Sequence, residues 1–222
     1  MTARVLANIA LVRLGLRELL PVDAIRRITI NDCGEPLVSL PQQEFFFCHS
    51  LSLPQFARKT VVDKLLEINE KLGKNGISLY IYEAYRSADK QKKMHDDEKC
   101  KLYALYPEKS EAEIEALASN RVANTGSTSM GGHQTGGAVD ITLCNKRGKL
   151  LDMGTEYLKF TSQTRTKTRI VNSEIKKNRQ MLLSCMKEAG FVNYPEEWWH
   201  YSYGDALWAA YSREKKAFYS TI

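Results

Sequence analysis

Two short clusters far apart in the chain set the strongest condition on how it can fold. They are Gly132-His133-Gln134-Thr135-Gly136-Gly137-Ala138-Val139-Asp140 and Glu197-Trp198-Trp199-His200. Two of the chain's four histidines sit inside them. Together they offer two imidazoles and a carboxylate that can share one metal, plus a second carboxylate three residues before the last histidine. A hydrolytic zinc site needs that inventory: three protein ligands, an open position for water and a base for the water's proton. Residues 133–140 must then pass from loop to strand. Gly136 and Gly137 allow the sharp transition that aims His133 from the loop and Asp140 from the strand at one point. Glu197 and His200 would share one face of a helix, but Pro195 and the aromatic run Trp198, Trp199, Tyr201, Tyr203 read as strand. Residues three apart on a regular strand face opposite sides, so a bend or bulge is required there. Each cluster by itself is better explained by local packing: a locally satisfied histidine and aspartate in the first, a packed tryptophan pair in the second. HExxH, the helical zinc-protease signature, is absent.

The length of 222 residues fits one domain with an N-terminal appendage. Residues 1–24 read as an amphipathic helix or extension and residues 25–222 as the main domain. The apolar set Val5, Ile9, Val12, Leu16, Leu19 and Leu20 recurs at helical spacing, and packing against the protein's own body is favoured over docking to a partner or membrane. Arg13 and Arg17 interrupt what would be the core of a signal peptide, and no apolar run is long enough to span a membrane. The net charge of +6 favours anionic partners, but no basic stripe interleaved with aromatics argues for nucleic acid. Five widely spaced cysteines without a CxxC read as free thiols in a reducing compartment. A cytoplasmic location is the expectation. Cys48-His49 reads as a buried thiol beside an unrelated histidine.

The remaining pattern is α+β. A short strand is expected over Ile25–Ile30 and a loop-rich segment over residues 37–54. A helix is expected over Gln55–Leu72, a strand over Ile77–Tyr85 and a helix from Lys90 to Tyr106 capped by Ser87 or Asp89. Further helices are expected over Glu111–Val122 and Ser173–Ala189, with a loop over Asn124–Gly132 and a strand over Ala138–Cys144. Leu150–Thr168 has little periodicity. Phe191–Phe218 reads as mostly strand, with a helical or irregular stretch near Leu207–Tyr211. Helices mixed with hairpins, without regular βαβ alternation, predict a central antiparallel sheet with flanking helices.

The two clusters together resemble a known family. His133 to Asp140 is similar to the HxxGxAxD motif of the VanX-type D-alanyl-D-alanine dipeptidases and related D,D-carboxypeptidases, and Glu197-Trp198-Trp199-His200 to their ExWH motif. Glu83-Ala84-Tyr85-Arg86, Asp152-Met153-Gly154-Thr155 and Gly190–Pro195 resemble flanking segments of the same family, so the likeness covers roughly residues 30–210. It implies a hedgehog/D,D-peptidase-like fold and a zinc D,D-peptidase catalytic domain over residues 25–222. It implies one zinc per chain on His133, Asp140 and His200, Glu197 as base, and Arg86 as the cation facing the tetrahedral intermediate. The implied substrate is a small D-amino-acid-containing peptide. Tyr85, Glu156 and Trp199 are the expected substrate contacts. Glu156 is expected to hold the substrate's ammonium, because Leu158 stands where the family carries an aspartate for that purpose. Gly131 likewise stands where the family has a serine. A D,D-carboxypeptidase or endopeptidase acting on peptidoglycan stems, and a non-catalytic metal-binding module, are the alternatives.

Overall fold

The computed structural model describes residues 2–48, 53–122 and 131–222. The sequence reading of His49 lies outside the described residues, as does the expected loop over Asn124–Gly132 except for Gly131 and Gly132, the second of which opens a 3₁₀ turn. At the centre is a five-stranded sheet in the order β3 (Phe46–Phe47), β5 (Ile77–Glu83), β6 (Ala138–Asn145), β8 (His200–Ser202), β7 (Val192–Asn193). Its pairs are antiparallel except β3 with β5, which is parallel. The expected all-antiparallel sheet is therefore mixed at one edge. The α+β class stands.

Helix α3 (Lys59–Gly73) covers the sheet. It buries Val61, Val62, Leu65, Ile68 and Leu72 on one face, each worth roughly 1.5–3 kcal/mol of removal from water. Helix α6 (Ser173–Glu188) adds Leu182 and Met186 to the same core. Asn172 caps α6 by accepting from the Ile175 backbone N–H. Between β6 and α6 the aperiodic stretch has no helix and no strand longer than a single bridge. Buried Arg179 organises it instead, donating to the backbone carbonyls of Met153, Gln163 and Arg165.

Helices α4 (Ala88–Leu105) and α5 (Glu111–Arg121) form an antiparallel pair with its own small core of Leu102, Ile114 and Ala118. Ser87 caps α4, and Ser110 with Glu113 closes a capping box on α5. His95 is buried between the two, with Nδ1 against the Val122 carbonyl and Nε2 3.0 Å from Glu115.

Several sequence readings are corrected. The expected strand at Ile25–Ile30 is a helix, α2 (Val22–Arg26), followed by β1 (Thr29–Ile30). Its isoleucines suggested alternation, but Ile25 instead packs with Ala206 and Leu207 of α7 (Ala206–Ser212). The Gln55–Leu72 helix starts late because β4 (Phe56–Arg58) pairs with β2 (Leu37–Ser39). Phe191–Phe218 holds three very short strands, β7, β8 and β9 (Lys216–Ala217), with α7 among them. The N-terminal helix α1 is Ala3–Arg13 only; none of its residues is fully buried, and Leu16 is 68% exposed.

The chain's two ends are tied together. β1 pairs in parallel with β9, and next to it Asp32 accepts from the Ser220 backbone N–H and hydroxyl and from Arg58. Burial pushes the Asp32 carboxyl up. The bonds from Ser220 and Gly34 and the Arg58 charge outweigh it and hold the group at about 2. An unfolded aspartate titrates near ~3.9, so this stabilisation is full above about pH 4 and is lost as pH falls towards 2. Replacing Asp32 by Asn is expected to lower stability at pH 7 by about 1–3 kcal/mol. The difference from wild type should shrink between pH 4 and pH 2. Urea unfolding at both ends of that range measures it.

Candidate active site

Strand register builds the site. Ile81 pairs with Ile141, and a bulge then sets both Tyr82 and Glu83 against Asp140, so that Glu83, not Tyr82, is the partner of Asp140. Asp140 in turn pairs with His200 on β8. Glu83, Asp140 and His200 therefore stand in a row across three adjacent strands. His133 enters from a 3₁₀ turn, Gly132–Thr135, directly before β6. The turn ends at Gly136 with φ of +72°, a conformation that disfavours a side chain. A Cβ on Gly137 would lie 2.4 Å from the Tyr203 carbonyl, so the tight approach to β8 requires glycine there.

The carboxylate of Asp140 joins the two imidazoles. Its Oδ1 is 3.2 Å from His133 Nε2 and 3.0 Å from His200 Nδ1. One ligand atom from each of the three residues lies within 4.8 Å of the others. His133 Nδ1 is 2.7 Å from the Ala84 carbonyl, which fixes the ring and leaves Nε2 for a metal. Tyr157 donates to Asp140 Oδ2 at 2.8 Å. Burial would raise the Asp140 carboxyl, but the two histidines hold it well below the usual carboxylate range. The donor set of two imidazoles and one carboxylate suits zinc with a fourth position open.

Arg86 is 6% exposed, and its charge is balanced at short range. Its guanidinium donates to Glu83 and to Gln91 Oε1, and lies 3.7 Å from Asp140 Oδ2. Burial works against its charge, but Glu83 and Asp140 keep it protonated. Glu83 also takes Lys90 Nζ at 2.6 Å. A cavity of about 100 Å³ brings Arg86, His133, Asp140, Glu197 and His200 to one surface. Arg121, Leu158, Tyr194 and Leu207 also line it. It is smaller than the ~300–1,000 Å³ of a drug-sized pocket and fits the reacting end of a small substrate. Leu158 lines it with φ of +60°, an uncommon conformation for a residue with a side chain.

Glu197 lies between two turns just before β8, which supplies the bend that its spacing from His200 requires. Burial of its carboxyl pushes it up to about 7. His200 and Arg86 counter this in part, and Asp140 adds to it. A carboxyl at about 7 is suited to accepting and returning a proton near neutral pH.

The structure brings His133, Asp140, His200, Glu197 and Arg86 together, and leaves the three expected substrate contacts outside the cavity lining. Trp199 is fully buried and packs with Trp198, Tyr157 and Phe160. It therefore walls no pocket. Trp198 is core as well, donating to Thr155 Oγ1. The Tyr85 hydroxyl points to the Ile222 carbonyl at the C-terminus. Glu156 is 84% exposed and pairs only loosely with Lys159, 3.9 Å away. Sequence reasoning missed Tyr157, Gln91, Arg121 and Ser202, which lies 3.4 Å from His200 Nε2. No local pattern marks them, because their roles arise from pairing and loop packing across the fold.

A buried carboxylate between two imidazoles, with a second acid raised to about 7 across a small cavity, is the arrangement of a metallohydrolase site. The D-ala-D-ala dipeptidase family Peptidase_M15 matches residues 53–220, and the chain belongs to that family. It is a metallopeptidase of the D,D-peptidase type, and the family's enzymes use zinc. A D-alanyl-D-alanine dipeptidase of Synechocystis sp. is 27% identical over 85% of this chain and 90% of its own length. One of Escherichia coli is 28% identical over 57% of this chain and 55% of its own. A solved structure of VanYB in complex with D-alanine-D-alanine aligns over 85% of this chain and 93% of that one, with 19% identity and a TM-score of 0.49.

Removing Glu83 leaves Arg86 charged and buried without its main partner. Glu83→Ala is expected to cost about 3–5 kcal/mol of stability, as breaking a buried pair does. Glu83→Gln should cost less, since its one amide oxygen can still accept from Arg86 while the contact with Lys90 is lost. Urea unfolding of both variants compares the two.

Proposed function

We propose that the chain hydrolyses the peptide bond of D-Ala-D-Ala or a similar small D-containing dipeptide, with one zinc ion held by His133, Asp140 and His200. The observation that carries the reading is the convergence of the three ligand atoms beside a carboxyl raised to about 7. The site fits the ion: its imidazoles are oriented by neighbours, and its carboxylate is already ionised. When bound, zinc supplies a Lewis acid that polarises the scissile carbonyl and acidifies the attacking water. Glu197 takes the proton from that water and later hands it to the leaving amine. Arg86, fixed by Glu83 and Gln91 before substrate arrives, offers a positive charge to the developing oxyanion. The catalytic unit on this reading is residues 25–222, with residues 1–24 as an extension. The five cysteines are not joined in disulfides, in keeping with the reducing setting we propose. No helix among the described residues is long and apolar enough to cross a membrane.

One observation favours a second substrate within the same chemistry. The only carboxylates among the described cavity residues are Asp140 and Glu197, both already committed, and Leu158 occupies the wall near them. Residues 123–130 contain no acid either. A free substrate ammonium therefore has no carboxylate reserved for it. An N-acylated D-Ala-D-Ala peptide, the substrate of a D,D-carboxypeptidase, needs none.

One assay series tests both. Wild type and Glu197→Ala are compared for zinc content and for D-alanine release from D-Ala-D-Ala and from N-acetyl-D-Ala-D-Ala. The variant is expected to keep about one zinc per chain and to lose turnover by about 10²–10⁴-fold. Undiminished turnover would remove Glu197 as the base. Cleavage of the acylated peptide alone would establish the second substrate, and cleavage of the free dipeptide the first.

A further inference from the structure

A second cavity, larger than the catalytic one, lies elsewhere among the described residues. It has a volume of about 780 Å³ and lies between the N-terminal segment and the body, within the ~300–1,000 Å³ range of small-molecule sites. Its wall comes from α1, α2, the loop between them, the C-terminal part of α6 with β7, and the end of α7. The apolar part includes Ile9, Leu20, Ile28, Phe191, Val192 and Tyr211. Seven lysines and arginines lie on the same wall against two carboxylates, Glu18 and Glu214. That excess is most of the chain's net charge of +6.

The charges are not consumed locally. Lys167 lies 3.6 Å from Glu18, Arg17 donates to Asn8, and Arg213 donates to the Arg13 carbonyl. Among the described residues, Arg27, Lys187 and Lys215 have no carboxylate within 4.0 Å. Arg27, Lys187 and Lys215 are exposed where they line the hollow, so an anionic group arriving from solvent can reach them. The cover is held lightly. Helix α1 has no fully buried residue, and the polar ties of the N-terminal segment to the body are few: the Leu20 backbone N–H to the Tyr211 hydroxyl at 3.1 Å, the Arg213 bond to the Arg13 carbonyl and the Lys167–Glu18 pair.

We propose that this cavity binds an anionic amphiphile with a single hydrocarbon chain, its tail against Ile28, Phe191 and Val192 and its phosphate or carboxylate among Arg27, Lys187 and Lys215. The hollow supplies the apolar volume, and the rim supplies the countercharge. This site shares no lining residue with the catalytic cavity, so the inference stands or falls separately from the peptidase reading.

Titration calorimetry on the full chain with dodecyl phosphate below its micelle concentration tests it. Saturable binding near one per chain is expected. Inorganic phosphate and uncharged dodecyl maltoside should each bind at least 10-fold more weakly. The triple variant Arg27→Glu, Lys187→Glu, Lys215→Glu should weaken dodecyl phosphate at least 10-fold with zinc content unchanged. The cavity-filling variant Ala24→Phe should weaken it as well, with the rim charges intact. Absence of saturable binding, equal binding of the uncharged amphiphile, or indifference to both variants overturns the proposal. A further arm uses vesicles of phosphatidylglycerol and of phosphatidylcholine. Attachment to the anionic vesicles without uptake of free dodecyl phosphate would assign the charges to a membrane surface and also overturn it.

Discussion

The Asp140 carboxylate is the interaction on which the site depends. One oxygen faces both imidazoles, and the other receives the Tyr157 hydroxyl and lies near Arg86. A carboxylate this deep in a protein carries a large desolvation penalty, offset only by partners on every side. Those partners come from the segment just after β5, the 3₁₀ turn, β8 and the loop after β6. Assembling the charge balance around one residue therefore fixes the relative positions of four segments.

The second constraint is the bulge on β5. Without it Tyr82 would sit opposite Asp140, and Glu83 would turn to the other face of the sheet. The extra residue moves Glu83 beside Asp140 and lets it hold Arg86 at the same time. Tyr82 is freed to stack on Tyr157 at 4.3 Å between ring centroids. That stacking helps aim the Tyr157 hydroxyl at Asp140. Local strand irregularity thus reaches the chemistry through two different side chains.

The sequence revealed the site where function is written in short, spaced motifs, and was silent where it depends on pairing. His133, Asp140, Glu197, His200 and Arg86 were all legible because their residue types and order carry the chemistry. The bend before His200 was legible too, as a geometric requirement. Tyr157 was not, because it lies in an aperiodic loop whose shape is imposed by Arg179 from a distant helix. Trp199 was read as a pocket wall because a conspicuous aromatic beside a ligand suggests contact with substrate. Its burial in the core follows from Tyr157 and Phe160, which the aperiodic loop after β6 packs over it beside Trp198. Helix α2 was missed for a similar reason: five residues carry too little periodicity, and the packing of Ile25 on α7 decides the conformation.

The same separation holds for the basic cavity beneath the N-terminal segment. Its cations are scattered from Arg13 to Lys215, so composition registered only a modest net charge. For the catalytic centre, the most direct measurement is X-ray absorption at the zinc edge of the purified protein. The account predicts two imidazole nitrogens and a carboxylate oxygen at about 2.0–2.2 Å, with one imidazole lost in His133→Ala. A sulfur shell at about 2.3 Å, or a zinc environment unchanged by that substitution, would contradict it.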